Sequence, residues 1–481
     1  MAAPVEATWQ IEQTGIETVA DADRHGRPRD LFWPWIAANL SLFGIAYGVY
    51  IVGLGLNLWQ AIVAGSVGAI VSFILVGLIA LAGRRAGAPT MTLSRAAFGV
   101  YGNKLPTLFS YIALVGWETV LVALATLATG TVLDRLHAGL GGKPTLAVAF
   151  AITALLTVAV GVFGHSVIMR VEKWLTGAFV VMTVVYFIIM IPKLHLGRSL
   201  PSGGFTTMVG GATLAAAGLG LGWVNCGADY SRYLPRSASS RGVAGWTAFG
   251  GASAPIVLIT FGVLVSVSDP SLAAAAGSDP VGALAGPLPT WFLVPYVLLG
   301  ILGFVAGAMM DIYSSGLNLL SLGVRLPRYF AVLIDGCLMV GGGIYIVFVA
   351  PSFFCPFQAF LAITGVVLAA WAAIFLVDLA MYRRDGYDEP DLYRANGVHG
   401  AFNWAGVVSL LVASTIGLGT VVSADPHIGK ILGYFLTTAA KHGSVGASNM
   451  GVLLAFVVAG VGYAALSTTI WRPKTAASRR S

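Results

Sequence analysis

Long apolar runs separated by short polar connections dominate this chain of 481 residues. An α-helix needs about 20 predominantly apolar residues to cross a hydrocarbon core about 30 Å thick. Runs of that length predict twelve spans, at residues 31–56, 60–83, 105–133, 145–165, 172–192, 208–233, 245–267, 290–321, 330–350, 352–378, 402–422 and 449–471. Outer-membrane barrels alternate polar and apolar residues over short segments, and these runs do not. The pattern predicts an all-α polytopic membrane protein with twelve transmembrane helices.

The composition excludes most soluble proteins. Hydrophobic residues make up 57% and charged residues only 10% of the chain, and the mean hydropathy is +0.85. A soluble globular chain carries about 25% charged residues, so a soluble enzyme of this length could not cover its surface. The three cysteines, Cys226, Cys337 and Cys355, lie in apolar runs without Cys/His spacing. Neither a disulfide framework nor a zinc site is therefore expected.

The basic residues indicate an orientation. Of the 27 Lys and Arg residues, 21 fall in segments that are cytoplasmic if the N-terminus is inside. The other six are Arg135, Lys143, Lys193, Arg198, Lys430 and Lys441. This bias follows the positive-inside rule, and it predicts a multi-pass protein of the plasma or inner membrane with both termini in the cytoplasm. The net charge of +7 therefore reports topology, and no nucleic-acid partner is expected.

Two connections have unusual sequences. Residues 268–289 are rich in Ala, Gly, Pro and Ser, and we expect a flexible surface segment there. Spans 9 and 10 must be joined by a very tight turn at Ala350 and Pro351. No polar stretch reaches the size of a soluble domain, so a separate soluble domain is not expected.

Spans 1 and 6 carry the features of interrupted helices. Span 1 contains Asn39 and Ser41, followed by Gly44, Gly48 and Gly53. Span 6 contains Gly210, Gly211, Gly218, Gly220 and Gly222. Glycines also let membrane helices pack closely, so one span alone does not predict a break. Because paired Gly-interrupted segments in the two halves of a transporter mark a binding site, the two spans together favour breaks that line a cavity.

Glu118 is the most deeply placed charge in the chain, near the middle of span 3. An ionisable group at membrane depth is costly and is a functional candidate by default. Glu118 could accept hydrogen bonds from substrate N–H groups, carry a coupling proton, or pair with a neighbouring helix in a purely structural part. Asp229, Asp335 and Asp378 lie nearer the span ends, where solvation or pairing with Arg is expected.

Asp311, Ser314 and Ser315 lie at i, i+3 and i+4 of span 8, so they share one helical face. A carboxylate with two hydroxyls suits a small hard cation, which prefers oxygen ligands. An unwound backbone of span 1, near Ser41, could complete the shell. The alternative is that both hydroxyls bond to their own helix. The Asp favours a site for sodium or a proton.

Trp117 and Trp223 are candidates for a flat clamp around a planar ligand. Both lie away from the predicted span ends, so an anchoring role at the membrane interface does not explain them. A heteroaromatic ring gains about 1–3 kcal/mol from stacking on an aromatic side chain in nucleic-acid complexes. Simple packing remains the alternative.

Several short segments have a family pattern in their order and spacing. They are residues 11–17 (IEQTGIE), 33–39 (WPWIAAN), 164–168 (GHSVI), 172–174 (EKW), 222–223 (GW), 228–233 (ADYSRY), 357–365 (FQAFLAITG), 387–393 (YDEPDLY) and 403–404 (NW). Together they resemble the nucleobase–cation symporter family, in its purine–cytosine permease branch. The match runs from about Ile11 to the end of span 12, nearly the whole chain.

The resemblance implies the leucine-transporter fold, with two inverted five-helix repeats and broken helices 1 and 6. On that basis, residues 1–30 form a cytoplasmic N-terminal segment, 31–192 the first repeat and 208–378 the second, inverted repeat. Residues 402–471 would hold helices 11 and 12, and 472–481 a cytoplasmic tail. It also implies uptake of a nucleobase or related ring, coupled to protons or sodium.

Particular residues match the family pattern. Trp117 falls where the family has a substrate-stacking tryptophan on helix 3, and Trp223 falls where it has a helix 6 aromatic. Ser314 and Ser315 fall on the helix 8 hydroxyl pair that is used for sodium. Asp311 falls where a relative has Asn, and this departure leaves proton and sodium open because an Asp can carry a proton.

We therefore expect a secondary active transporter that imports cytosine or a purine with H⁺ or Na⁺, with no other cofactor. The ring edge would be read by Glu118, Asn39 or Asn225, Asn318 and the span 10 backbone around Phe360. A helix 3 amide of some relatives corresponds to Leu121, which leaves the ring substitution pattern open. Hydantoin, allantoin or a pyrimidine vitamin precursor is an alternative substrate, because relatives with these substrates share most of the same motifs. No metal triad or nucleophile–base set indicates an enzyme. A channel or a non-transporting receptor is the alternative from another class, and a monomer or a dimer fits the sequence equally.

Overall fold

The computed structural model describes residues 15–161, 165–197, 200–324, 326–350 and 352–470, and these residues form helices and connections without any strand. We number the membrane helices α1 to α12. Helix α1 has two halves, Phe32–Asn39 and Phe43–Gly53, and α6 has two pieces, Phe205–Gly218 and Gly220–Trp223. The others are α2 Leu58–Ala86, α3 Lys104–Leu136, α4 Lys143–Gly161, α5 His165–Met190, α7 Ser240–Ser268, α8 Thr290–Ser321, α9 Arg328–Ile344, α10 Phe354–Met381, α11 Trp404–Leu418 and α12 Gly451–Thr469.

The helices account for the predicted membrane crossings. Within the described ranges, nine helices are long and apolar enough to cross a bilayer, and the bent pair that forms α1 makes a tenth. Two shorter apolar helices, Lys143–Ala159 and Trp404–Leu418, complete the set of twelve. The fold is therefore all-α and polytopic, as the apolar runs predict. The boundaries of the two predicted repeats, 31–192 and 208–378, stay predictions, and the turn at Pro351 lies outside the described residues.

Helix α1 breaks before its glycines. Its halves meet at an angle of 63°, and Leu40 between them has φ −89° and ψ 73°, outside the helical region. The glycines of the second half do not mark the break, and they allow α7 to pack closely against α1. A Cβ on Gly48 would lie 2.2 Å from the Ile259 carbonyl oxygen, and one on Gly262 would lie 1.9 Å from the Ile45 carbonyl oxygen. The backbones of α1 and α7 are thus in direct contact, as small residues allow in membranes.

The connection between α7 and α8 is ordered, so the expectation of a flexible segment at 268–289 is wrong. It holds two short helices, Leu272–Ser278 and Pro280–Ala285. The Asp279 carboxylate caps the second helix by accepting a hydrogen bond from the Gly282 amide at 2.9 Å. Leu272, Ala276 and other apolar residues of these helices are buried. The Tyr50 hydroxyl of α1 donates to the Ala276 carbonyl at 3.0 Å. The small apolar residues of this connection suggest flexibility in the sequence, but in the structure they form a packing surface.

The segment before α1 packs against the end of α2. The Arg24 side chain donates hydrogen bonds to the Val19 carbonyl at 3.2 Å and the Arg84 carbonyl at 3.0 Å. Gly87 ends α2 in the left-handed conformation, with φ +73°, and a Cβ there would lie 2.0 Å from Arg24 Nη2. The absence of a side chain at residue 87 therefore permits both the turn and the buried guanidinium.

We predict that Gly87→Ala lowers the apparent Tm of the purified protein in detergent. A left-handed non-glycine residue costs about 1–3 kcal/mol, and the added methyl also displaces Arg24. Gly177→Ala is the matched control, because a Cβ on Gly177 in α5 meets nothing within 4 Å. Alanine favours a helix over glycine by about 1 kcal/mol, so the control variant should keep or raise the Tm. Equal melting of the two variants would contradict this account of Gly87.

Candidate functional site

A cavity lies where α1 and α6 are broken. Its volume is about 40 Å³, which holds about three water molecules at about 10–15 Å³ each. A heterocyclic ring therefore needs the surrounding helices to move apart. The lining residues come from α1, α3, α6 and α8: Ala38, Asn39, Ser41, Phe43, Gly44, Tyr47, Trp117, Leu121, Gly218, Leu219, Trp223 and Asp311.

The backbone groups freed by the α6 break are bonded to side chains. Leu219 at the break has φ −122° and ψ −110°. The Tyr47 hydroxyl donates to the Gly218 carbonyl at 2.8 Å, and the Gly220 amide donates to the Ser72 hydroxyl at 3.2 Å. A buried peptide group without a partner costs about 1–3 kcal/mol. Tyr47 and Ser72 therefore stabilise the interruption, and Tyr47 joins the broken α6 to the second half of α1.

The α1 break leaves polar groups at the cavity. The Asn39 amide donates to the Trp35 carbonyl at 2.8 Å at the end of the first half, and both Asn39 and Ser41 line the cavity. The second half begins at Phe43, which lines it too. The beginning of a helix carries a partial positive charge, so this wall favours an anionic or hydrogen-bond-accepting group.

Two tryptophans form part of the cavity wall. Trp117 and Trp223 are each 9% exposed. Trp117 contacts Phe357 and Phe360 edge-on, with ring centroids 5.8 Å and 5.6 Å apart, and Trp223 contacts Trp35 edge-on at 5.8 Å. Phe360 does not line the cavity, so its observed place is behind Trp117. Edge-to-face contacts of this kind fix the ring orientations.

Asp311 is the acidic residue of the cavity wall. Its side chain is buried at 1% exposure, and neither carboxyl oxygen has a hydrogen-bond partner among the described residues. A buried carboxylate without partners is strongly unfavourable. Asp311 therefore needs an N–H donor, a cation or a proton from outside the protein.

Asn225 and Asn318 lie away from the cavity lining, on a separate polar contact. Their side-chain amides both donate to the Ser110 hydroxyl of α3, at 2.8 Å and 2.6 Å. This contact joins α3, α8 and the turn after α6. The structure thus places Asn225 and Asn318 together, but apart from Asn39 and the tryptophans.

The predicted cation face of α8 is divided between different neighbours. Asp311 and Ser41 line the cavity. The Ser314 side chain faces Asp229 and Cys226. The Ser315 hydroxyl lies 2.9 Å from Glu118 Oε1 and 2.8 Å from Asp335 Oδ2. Glu118, like Ser315, does not line the cavity.

Asp229, Asp335 and Asp378, for which solvation or pairing with Arg was expected, do not share one kind of environment. Asp335 is fully buried and accepts a hydrogen bond from the Tyr111 hydroxyl at 2.6 Å. Asp229 is buried as well and accepts from the Thr90 amide and hydroxyl, both at 2.7 Å. Solvation is therefore wrong for both, because helix packing encloses them. Asp378 does pair with an arginine, Arg383, at 3.1 Å.

Tyr47 is the main cavity residue that sequence reasoning missed. Its partner Gly218 is 171 residues away in the chain, so no local pattern connects the two. The only signal was its place six residues after Ser41, on the side of α1 that follows the break. Phe43, which packs on Phe357 at 5.2 Å, was missed for the same reason.

Comparisons with known proteins agree with this architecture. Residues 18–446 match a family described as permease for cytosine/purines, uracil, thiamine, allantoin. The chain is 28% identical over 417 residues to the putative purine-cytosine permease YxlA of Bacillus subtilis, covering 84% of this chain and 87% of the relative. It is 24% identical over 483 residues to the purine-cytosine permease FCY2 of Saccharomyces cerevisiae, covering 94% and 85%.

Solved structures share the fold. Mhp1, a nucleobase-cation-symport-1 family transporter in a closed conformation with bromovinylhydantoin bound, matches with a TM-score of 0.73 at 18% identity, covering 98% of this chain and 99% of that one. A Na⁺-coupled sialic acid symporter in its outward-open state matches with a TM-score of 0.63 at 14% identity, covering 95% and 93%. The leucine-transporter-like fold that the resemblance implies is confirmed.

The family match covers most of the residues, and it includes both broken helices and the cavity between them. The family description and the relatives' names are those of permeases. This multi-pass membrane protein is a transporter, and it belongs to the family of permeases for cytosine, purines, uracil, thiamine and allantoin.

Proposed function

We propose that this transporter imports a nucleobase, cytosine or a purine, by symport with a proton or a sodium ion. The observation that carries the proposal is the cavity at the two helix breaks, which has Trp117, Trp223 and the unpartnered Asp311 in its wall. A planar ring with N–H groups on its edge complements both features. The names of the relatives, purine-cytosine permeases, support the same substrate class.

The ring would enter between Trp117 and Trp223 after the helices move apart. Stacking on an aromatic side chain contributes about 1–3 kcal/mol per base. The edge of the ring would meet Asn39 and Asp311, which already line the cavity. An exocyclic amine or ring N–H bonded to Asp311 would supply the donor that this carboxylate lacks. Asn225, Asn318, Glu118 and Phe360 support these walls from behind in this arrangement.

The sequence places the coupling cation on the α8 face of Asp311, Ser314 and Ser315 with Ser41. With Asp311 bonded to the ring edge, the hydroxyl end of that face, where Ser315 lies beside Glu118 and Asp335, is left for the cation. Binding of both ligands to one conformation couples their transport, because each lowers the free energy of that same state. The distribution of basic residues supports an orientation with both termini in the cytoplasm of a plasma or inner membrane. A monomer and a dimer both satisfy this scheme.

Another planar amide ring is the second candidate substrate. Leu121 lines the cavity, where an apolar side chain offers no hydrogen bond to a ring edge. In this alternative the transported compound is hydantoin, allantoin or a pyrimidine vitamin precursor and not a nucleobase. The family description names allantoin and thiamine, and the solved Mhp1 structure has a bound hydantoin.

Uptake into proteoliposomes tests the proposal. The panel is labelled cytosine, uracil, adenine, hypoxanthine, allantoin and a hydantoin, each with an inward sodium gradient, an inward proton gradient, or neither. We expect gradient-dependent accumulation of cytosine or a purine. Accumulation of only allantoin or the hydantoin would replace the substrate. Equilibration without accumulation would indicate a channel, and no uptake by folded protein would leave binding without transport.

We predict that Trp117→Ala and Trp223→Ala each weaken binding of the transported compound by about 5- to 150-fold, the equivalent of about 1–3 kcal/mol of stacking. Trp59→Ala is the control, because Trp59 is 71% exposed on the surface of α2. Equilibrium binding of the labelled compound to purified protein measures the effect. Wild-type affinity in either cavity variant would argue against a ring held between the two indoles.

We predict that Tyr47→Phe slows uptake and lowers the Tm, because it leaves the buried Gly218 carbonyl without its donor, at a cost of about 1–3 kcal/mol. Tyr434→Phe is the matched control. Tyr434 also donates to a backbone carbonyl, that of Thr415, but it is 50% exposed, so water replaces the lost bond. If both variants behave alike, the Tyr47 contact does not stabilise the α6 break.

A further inference from the structure

Two buried carboxyl groups meet at one hydroxyl in the space between α3, α8 and α9. Glu118 and Asp335 are both 0% exposed, and so is Ser315. The Ser315 oxygen lies 2.9 Å from Glu118 Oε1 and 2.8 Å from Asp335 Oδ2. Nothing in the family pattern or the cavity lining draws attention to Asp335.

The hydrogen atoms at this contact are too few for two carboxylates. Ser315 has one hydroxyl hydrogen, and it has three acceptors within reach: Glu118, Asp335 and the Ile312 carbonyl, which lies 3.2 Å away. Tyr111 gives its own hydrogen to the other oxygen of Asp335, at 2.6 Å. At least one oxygen of the pair therefore faces the Ser315 oxygen without a hydrogen between them. A positive charge at this point removes the conflict.

The described side chains around the pair supply no such charge. Among the described residues, neither carboxyl forms an ion pair with a Lys, Arg or His. Besides Asp335, the charged group whose field acts on Glu118 is Asp311, another acid. The other charged or titratable residues of these helices whose side chains the structure describes lie at helix ends or outside the contact: Lys104, Asp134 and Arg135 of α3, Lys143 of α4, Tyr296 and Tyr313 of α8, Cys337 of α9, and Cys355 and Asp378 of α10.

Glu118 also has an unused binding position. Its second oxygen, Oε2, is buried and has no hydrogen-bond partner among the described residues. Asp311, one helical turn before Ser315, likewise has two unpartnered oxygens. Buried charges persist when they are paired or bind a cation, and two carboxylates that share a site hold one positive charge between them.

We propose that Glu118, Ser315 and Asp335 form a site for a single positive charge, a proton or a sodium ion, and that this charge is the coupling ion. The inference rests on the symport function proposed above, and it moves the ion from Asp311 to the other end of the α8 face. Asp311 is then left to bind the substrate edge in the cavity.

The position of this site explains how the ion and the substrate affect each other. Glu118 directly follows Trp117 of the cavity wall, and Ser315 lies one turn after Asp311. An ion at the site ties α3, α8 and α9 together and so orders the wall that receives the ring. From Glu118 the hydrogen-bonded groups lead through Ser315 and Asp335 to Tyr111, seven residues or about 10 Å along α3 at about 1.5 Å per residue. A released ion has a polar route in that direction.

Ion binding to the full-length protein without substrate tests the site. One titration compares sodium chloride with choline chloride at fixed pH, and a second varies the pH without sodium. The change in intrinsic tryptophan fluorescence is measured in both, because Trp117 adjoins the site. We expect wild type to respond to one of the two ions. Glu118→Gln and Asp335→Asn should each weaken that response at least about tenfold, the usual lower cost of altering an ion's ligand shell. Asp311→Asn should keep it.

The results distinguish sodium from a proton, and they test the ion site separately from the transport function. A sodium response identifies sodium, whereas a response to pH alone, with an infrared band of a protonated carboxyl that Glu118→Gln or Asp335→Asn removes, identifies a proton. Three outcomes would overturn the inference. They are loss of the response in Asp311→Asn only, unchanged responses in Glu118→Gln and Asp335→Asn, and no response of wild type to either ion. The two variants are independent, so the infrared band is assigned from whichever of them keeps a cooperative melting transition. Exchange of panel compounds by wild type without a gradient reports on the transport function separately.

Discussion

Every structural feature of the site depends on one constraint, which is that a peptide group inside a membrane must have a hydrogen-bond partner within the protein. Two helices of this chain nevertheless stop in mid-membrane. The α6 break is permitted because Tyr47 and Ser72 supply a donor and an acceptor at Gly218 and Gly220. The cavity lies at these breaks and is lined by residues of both broken helices.

The polar residues of the interior are arranged as small separate groups. Ser110 joins two amides, Thr90 holds Asp229, and Ser315 joins two acids. Each hydroxyl connects segments that are distant in the chain. Such groups fix how helices pack. The unpartnered carboxyl oxygens of Asp311 and Glu118 are places at which an external ligand changes the balance.

The sequence was sufficient for the helices and for part of the site. Apolar runs predict the crossings, and the expected functional set includes Asn39, Trp117 and Trp223, which the structure brings together. It could not locate the α1 break, because glycine marks both interruptions and close packing, and here Gly48 serves packing. Nor could it pair Glu118 with Asp335, since side-chain partners more than 200 residues apart leave no local periodicity. The two short helices within 272–285 were not predicted either, because their small residues resemble those of a flexible linker although they are apolar enough to pack.

The contact between Gly48 and Gly262 has a mechanical consequence. With carbonyl oxygens of α7 and α1 against each other's glycines, the second half of α1 and α7 form one rigid lever. Such a lever cannot slide internally, because any relative shift drives backbone atoms into each other. A bend that keeps this contact intact would fall at residues 40–42, where the α1 backbone already leaves the helical conformation.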